Sequence, residues 1–224
     1  MACQLVIFDF DGTLADTFSW FAAALNKAAL RFGFRTLSDA DVAMLRGCSN
    51  REIIRFLGVP MWKVPLIANH LRHLAAAEAA SIRLFPGTGE MLHRLHGAGV
   101  RLAIVSSNAE ATIRQALGEE LAARIDVYEC GASLFGKAAR FRRVLRRTGI
   151  PASAAIAIGD EGRDVDAARR TGIAAGAVTW GYATPDFLLS CQPDALFRSM
   201  ADLADLADGI TGRSPARVRS ATGA

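Results

Sequence analysis

Long apolar runs are missing from this sequence. No uninterrupted stretch approaches the roughly 20 residues that a membrane-spanning helix needs, so no membrane partner is expected. The N-terminus, MACQLVIFDFD, has no basic segment ahead of its apolar residues, and acids interrupt it at once, so it does not read as a secretory signal. Cysteine is scarce. Cys3, Cys48, Cys130 and Cys191 form no CxxC pair and no zinc spacing, and they read as reduced thiols filling the core of a cytoplasmic protein. A dominant charge is also lacking, with 26 basic against 22 acidic residues. Much of the small excess lies in Arg140, Arg142, Arg143, Arg146 and Arg147 and in the tail residues Arg213, Arg217 and Arg219. No aromatics interleave with them and no known reading module surrounds them, so no nucleic-acid partner is expected. The arginines around Phe141, Val144 and Leu145 follow helical spacing and read as a solvated face.

What is present is an ordinary globular mixture, 51% hydrophobic and 21% charged over 224 residues, which excludes a largely disordered chain. That length buries a core without staples. Leu5-Val6-Ile7-Phe8 reads as a buried strand running into a turn at Asp9-Phe10-Asp11-Gly12-Thr13. From Asp16 to about Leu84 helix-period segments take over, at 18–32, 39–45, 50–57 and 64–80, and Phe85-Pro86-Gly87 ends them. Strands then alternate with helices. Strands are expected at 100–105, 125–128, 154–158, 174–180 and 195–197, and helices at 90–96, 109–117, 138–147 and 165–171. Such alternation implies right-handed βαβ units and a parallel sheet, and the nearly continuous apolar strands imply one covered on both faces. The expected organisation is an α/β core from 1–15 and 86–208, a helical insertion from 16–85, and a frayed tail from 209–224. Trp20, Trp62 and Trp180 read as packing residues.

In an open parallel sheet, ligands bind outside the carboxyl ends of the strands. Asp9 and Asp11 lie at the first such end, Ser106 at the second, Gly136-Lys137 in the next connection, and Asp160 at the fourth, with Glu161 and Asp164 just beyond. Asp9 and Asp11, two apart, lean the same way, and Asp160 would join them from an adjacent strand. Carboxylates so close repel unless a cation sits among them. Oxygen ligands without His or Cys suit Mg²⁺, which keeps some waters and binds substrate phosphate. A calcium-binding EF-hand is excluded, because its glycine stands sixth in the loop and Gly12 would stand fourth. The histidine pairs His70/His73 and His93/His96 lie on helical segments away from these groups and have no third ligand nearby.

A carboxylate can attack phosphorus and form an aspartyl-phosphate. The leaving alkoxide then needs an acid, which can later deprotonate the attacking water. Asp9 and Asp11 fit those two roles. Lys137 would balance charge and Ser106 would hydrogen-bond a phosphoryl oxygen. Backbone N–H groups in the turn at Gly12 and Thr13 and at the helix start at Ser107 and Asn108 add donors. Each feature alone has a plainer reading as turn, helix cap or surface lysine. It is the four in order, each at a strand end or just past it, that point to a site.

DFDGTLADT, IVSSN, GK and IGDEGRD, in this order, resemble the four motifs of the haloacid dehalogenase superfamily, over Leu5 to about Tyr182. The resemblance implies a Rossmann-like, doubly wound core with an inserted α-helical cap. It implies Asp9 as nucleophile, Asp11 as general acid/base, Ser106 as phosphate binder and Lys137 as charge-balancing lysine. It implies Mg²⁺ held by Asp9, the backbone carbonyl of Asp11, and Asp160, with Asp164 and Glu161 in support. Relatives often carry Lys-Pro-x-Pro at the third motif, whereas Ala138-Ala139-Arg140 follows Lys137 here. Ser107 competes with Ser106 for the second motif; Ser106 is favoured because the apolar run ends there. Dehalogenating members resemble this sequence but lack the second aspartate. A halide leaves without a proton and an alkoxide does not, so Asp11 points to phosphate esters.

The expected enzyme is a Mg²⁺-dependent phosphatase of small phosphorylated metabolites, similar to phosphoglycolate phosphatases, and a monomer or homodimer. A phosphosugar mutase of the superfamily and a non-catalytic binding protein of the same fold are the alternatives. In the inserted block, Arg46, Gly47 and Arg51 are candidates for contacting the substrate. The plainer reading of that stretch is a helix start capped by Ser49 or Asn50, with the arginines in solvent.

Overall fold

The computed structural model describes residues 3–131 and 136–208, so the expectations for the tail, including Arg213, Arg217 and Arg219, lie outside the described residues. The chain runs β1 (Leu5–Phe8), α1 (Phe18–Phe32), α2 (Asp39–Leu45), α3 (Asn50–Phe56), α4 (Val64–Ala77), α5 (Thr88–Gly97), β2 (Arg101–Val105), α6 (Glu110–Ala122) and β3 (Val127–Glu129). It continues through α7 (Lys137–Thr148), β4 (Ala155–Gly159), α8 (Gly162–Arg169), β5 (Ala174–Val178), α9 (Pro185–Ser190), β6 (Ala195–Phe197) and α10 (Met200–Ala204). The strands form one sheet in the order β3-β2-β1-β4-β5-β6, with every pair parallel.

β1 lies at the centre because it is apolar on both faces. Its four residues are wholly buried, and each stabilises the fold by about 1.5–3 kcal/mol relative to exposure. Val6 and Phe8 face one layer with Met91, Leu95 and Ile113 of α5 and α6. Leu5 and Ile7 face the other with Phe141, Val144 and Val165 of α7 and α8. The strand order reverses between β2 and β4, which flank β1, so the crevice expected of a doubly wound sheet opens at the end of β1.

Between β1 and α5 the chain leaves the sheet and returns beside its own exit. Ala15 bridges antiparallel to Leu84, Asp16 N–H donates to the Arg83 carbonyl at 2.8 Å, and Phe85 N–H donates to the Leu14 carbonyl at 2.9 Å. All four helices α1–α4 lie within that excursion. The α2–α3 connection reaches back to the sheet. The Arg46 carbonyl accepts from Thr184 N–H at 2.9 Å, and Asn50 Nδ2 donates to Glu161 Oε2 at 2.9 Å.

Several expectations are corrected. Trp62 is not a packing residue but 68% exposed, since its 3₁₀ turn lies on the outside of the helical block. The arginine face of α7 is not merely solvated. Arg140, Arg143 and Arg147 converge on the buried Glu129 at the end of β3, at 3.2, 2.9 and 3.5 Å. Burial alone would raise the Glu129 pKa, but the Arg143 and Arg140 guanidiniums outweigh it and hold the carboxyl below its ordinary value. The helix expected at 109–117 runs to Ala122, because Gly118 takes φ 74° and lets a kinked second half follow. Neither α9 nor α10 was expected. Both are too short for a period, although Thr184 and Ser199 cap them.

Candidate active site

Asp9 follows β1 directly, and its N–H donates to the Ile158 carbonyl of β4 at 2.8 Å, which fixes it against the neighbouring strand. Its side chain is 3% exposed. Asp9 Oδ1 accepts from Phe10 N–H at 2.7 Å. Asp9 Oδ2 pairs with Lys137 Nζ at 2.5 Å, a buried, charge-assisted contact. Lys137 Nζ also pairs with Asp164 Oδ1. Asp160, beyond the end of β4, is fully buried and accepts from Thr13 Oγ1 at 2.8 Å and from Tyr182 N–H at 2.8 Å. Carboxylate oxygens of Asp9, Asp160 and Asp164 come within 4.8 Å of one another.

The electrostatics follow from crowding acids in a dry crevice. Burial raises the Asp9 pKa, opposed by Lys137. Burial, then the charges of Glu161, Asp9 and Asp164, push Asp160 well above its ordinary value. Burial opposes the Lys137 charge, but Asp164 and Asp9 outweigh it, and the ammonium is held charged. Asp11 is pushed up to about 6 by burial and then by the Asp9 charge, against hydrogen bonds from Thr17 and Asn108.

Small residues make this approach possible. Gly12 has φ 74°, and a Cβ there would sit 2.2 Å from Asp160 Oδ2. A Cβ on Gly159 would sit 2.2 Å from Asp164 Oδ2. Gly12→Ala therefore combines a left-handed backbone with a collision against the acid cluster and should cost on the order of 3 kcal/mol or more. Gly33→Ala, at φ 68° with nothing within 4 Å, is the control and should cost only about 1 kcal/mol. Chemical denaturation of the two variants measures the difference; equal losses would mean that Gly12 is not held by the cluster.

The structure brings Asp9, Asp11, Thr13, Lys137, Asp160, Glu161 and Asp164 to one crevice, with Ser106, Ser107 and Asn108 at the neighbouring end of β2. Ser106 is buried, and its Oγ accepts from Asn108 N–H at 3.0 Å; Ser107 and Asn108 line the cavity in front of the crevice. The candidates from the helical block divide. Arg46 lines that cavity, but its guanidinium donates to the carbonyls of Tyr182 and Gly181 at 2.9 and 3.0 Å and lies over the Phe18 ring. Gly47 lies in the turn after it. Arg51 lines a separate depression with Arg55, Val59 and Met61. Ser49 caps α3 in a capping box with Glu52, which leaves the Asn50 side chain free to reach Glu161.

Sequence reasoning missed Arg163 and Tyr182. Arg163 reaches Glu161 Oε1 at 2.5 Å and lies 3.9 Å from Asp9 Oδ2, with its buried Nε unpartnered. It stands inside IGDEGRD, where the signal that could have found it is a cation among the acids of a strand end. Tyr182 follows β5, a further strand end at the same edge; its hydroxyl pairs with Thr17 Oγ1 at 3.0 Å and its ring packs on Phe18 and Phe21.

The chain has counterparts among known proteins. Residues 6–178 match the family of haloacid dehalogenase-like hydrolases. A phosphoglycolate phosphatase of Synechococcus elongatus is 33% identical over 89% of this chain and 95% of its own length. The tyrosine-protein kinase PtkA of Mycobacterium tuberculosis is 32% identical over 83% of this chain and 65% of its own length. A crystal structure from Lactobacillus plantarum, described as a putative phosphoglycolate phosphatase, superposes with a TM-score of 0.78 at 19% identity, covering 92% of this chain and 100% of that one. The chain belongs to the haloacid dehalogenase-like hydrolase family.

Proposed function

We propose that the protein is a Mg²⁺-dependent phosphatase of phosphomonoesters that works through an aspartyl-phosphate on Asp9. The observation that carries this reading is the cluster of three buried carboxylates, Asp9, Asp160 and Asp164, whose oxygens come within 4.8 Å of one another and where the Lys137 ammonium pairs with Asp9 and Asp164. Acids so crowded in a dry site repel one another and call for a further cation among them. Three carboxylates, two of them raised in pKa by burial, fit a hard divalent ion, and no soft ligand competes. Asp9 and Asp160, with the Asp11 carbonyl, would hold it, with Asp164 and Glu161 in support. When bound, Mg²⁺ neutralises phosphoryl oxygens.

Asp9 attacks phosphorus, and its carboxylate–phosphoryl bond forms as the ester P–O bond breaks. Asp11, with its pKa near 6, delivers its proton to the leaving alkoxide and takes one back from the water that cleaves the aspartyl-phosphate. Lys137 offsets the negative charge, and Ser106 and the N–H groups of Gly12, Thr13, Ser107 and Asn108 hold phosphoryl oxygens. Arg163, 3.9 Å from Asp9 Oδ2, is a further cation for the same anion. Residues 16–85 would form a cap that closes over this site, on a core of 1–15 and 86–208, a reading that the paired crossings at Ala15 and Leu84 support. In the cap, Arg46, whose guanidinium also holds the loop after β5, and Gly47 beside it are proposed to help choose the substrate, and Arg51, on a separate depression, would meet only a part of the substrate that reaches beyond this cavity. A phosphosugar mutase would use the same residues; it would return isomerised sugar phosphate with little free phosphate.

Metal addition gives a sharp expectation. In the metal-free protein Asp9, Asp11 and Asp160 bind protons more tightly folded than unfolded, so their contribution to stability is present at low pH and lost as pH rises through the raised values. Between pH 5 and pH 7, above the ordinary carboxylate range, the metal-free melting temperature should fall. Mg²⁺ should raise it, and more at pH 7.5 than at pH 5.5, because the ion displaces bound protons. Thermal melts with Mg²⁺ and with chelator check this; an equal shift at both pH values would contradict a metal held by these acids.

A further inference from the structure

A cavity of about 260 Å³ opens from the crevice into the helical block. Asp11, Asn108, Glu161, Arg163 and Tyr182 lie along it from the sheet side. Leu25, Phe34, Val42, Ile53, Ile67 and Leu71, from α1–α4 and their connections, line it from the other side. The helices leave this space because their apolar stripes do not close on one another. α3 buries none of its residues, and α4 buries only Ile67 and Ala75 of fourteen. Apolar side chains that face a hollow rather than each other forgo the contacts of a packed core. A cavity with polar groups gathered at one end and apolar walls beyond is the form of a ligand pocket.

We propose that the substrate is an amphiphilic phosphomonoester, a phosphate carried on an alkyl or arylalkyl group of medium length, whose apolar part fills this cavity while the phosphate meets Asp9. This rests on the phosphatase reading above. A cavity of about 260 Å³ is many times the roughly 10–15 Å³ that a single water requires, so it has room for a chain well beyond two carbons. A leaving group of two carbons ending in a carboxylate, as in the ester named for the Synechococcus relative, would leave most of the cavity unfilled. It would also leave the apolar walls formed by Leu25, Phe34, Val42, Ile53, Ile67 and Leu71 without a partner. An apolar chain replaces water there and gains in proportion to the surface it buries.

The test is a chain-length series of ethyl, butyl, hexyl, octyl and dodecyl phosphate, with 2-phosphoglycolate alongside, all below micelle-forming concentrations and with Mg²⁺. Phosphate release is the readout. Each buried methylene is expected to raise kcat/KM by up to about fourfold, so octyl phosphate should exceed ethyl phosphate at least tenfold, with no further gain at dodecyl. Val42→Phe, which fills the cavity from α2, should lower the octyl-to-ethyl ratio by tenfold or more. Octylphosphonate, which cannot be hydrolysed, should raise the melting temperature more than ethylphosphonate, and Val42→Phe should remove that difference. Release from ethyl phosphate or phosphoglycolate equal to or faster than from octyl phosphate, with no phosphonate difference, would overturn the inference and leave the phosphatase reading intact. No release from any ester would overturn the phosphatase reading and the inference with it.

Discussion

Asp9→Asn should leave phosphate release on the order of 10⁴-fold or more below the unchanged protein, as removal of the nucleophile does in other covalent hydrolases. The amide keeps the size of the carboxylate and can still accept from Phe10 N–H, so the end of β1 stays in place. It removes a charge that burial already disfavours and that adds to the crowding around Asp160. Lys137 keeps Asp164 as its partner. The metal-free variant should therefore melt within a few degrees of the parent, or higher. Loss of turnover with the fold retained separates a chemical role from a structural one. Initial rates with an alkyl and an aryl phosphate, together with thermal melts, check the pair; activity within tenfold of the parent would remove Asp9 from the reaction.

Asp11→Asn should cost on the order of 10²–10⁴-fold with an alkyl phosphate, the usual range for a general acid, and clearly less with an aryl phosphate. The difference follows from the leaving group. A phenolate departs with little help, whereas an alkoxide needs its proton in the transition state. The pH profile supplies a second reading. With a pKa near 6, Asp11 carries the proton below that value and loses it above. The alkyl ester rate should therefore decline on the alkaline side, and Asp11→Asn should abolish that limb. Since the Asp9 charge is the second cause of the raised value after burial, Asp9→Asn should lower the Asp11 pKa, a shift that carbon NMR can follow. Equal losses for alkyl and aryl esters would place Asp11 outside proton transfer.

How much of this was legible in the sequence depended on the range of the forces involved. β1 declared itself because a strand buried on both faces must be apolar throughout. α1 declared itself through its period and the glycine that ends it, Gly33 at φ 68°. The convergence of Asp9, Lys137 and Asp160 could be anticipated because a doubly wound sheet delivers every strand end to one edge. What stayed hidden depended on partners far away in the chain. Glu129 gathers three arginines only once β3 and α7 are packed, so a basic helix looked like a solvated one. Arg46 looked free to meet a substrate, but the loop after β5 occupies it. Arg163 matters by its distance to Asp9, which no local pattern encodes. The apolar cavity was also illegible. Amphipathic spacing says which face of a helix turns inward, not whether the inward faces meet.

The account turns on one carboxylate taking up the phosphoryl group. Crystals soaked with Mg²⁺ and beryllium fluoride, which mimics a phosphoryl group on a carboxylate, test it most directly. The expected result is a beryllium–oxygen bond to Asp9, with a metal ion against Asp160. A fluoride adduct on Asp11, Asp160 or Asp164, or beryllium fluoride bound to no side chain at all, would contradict it.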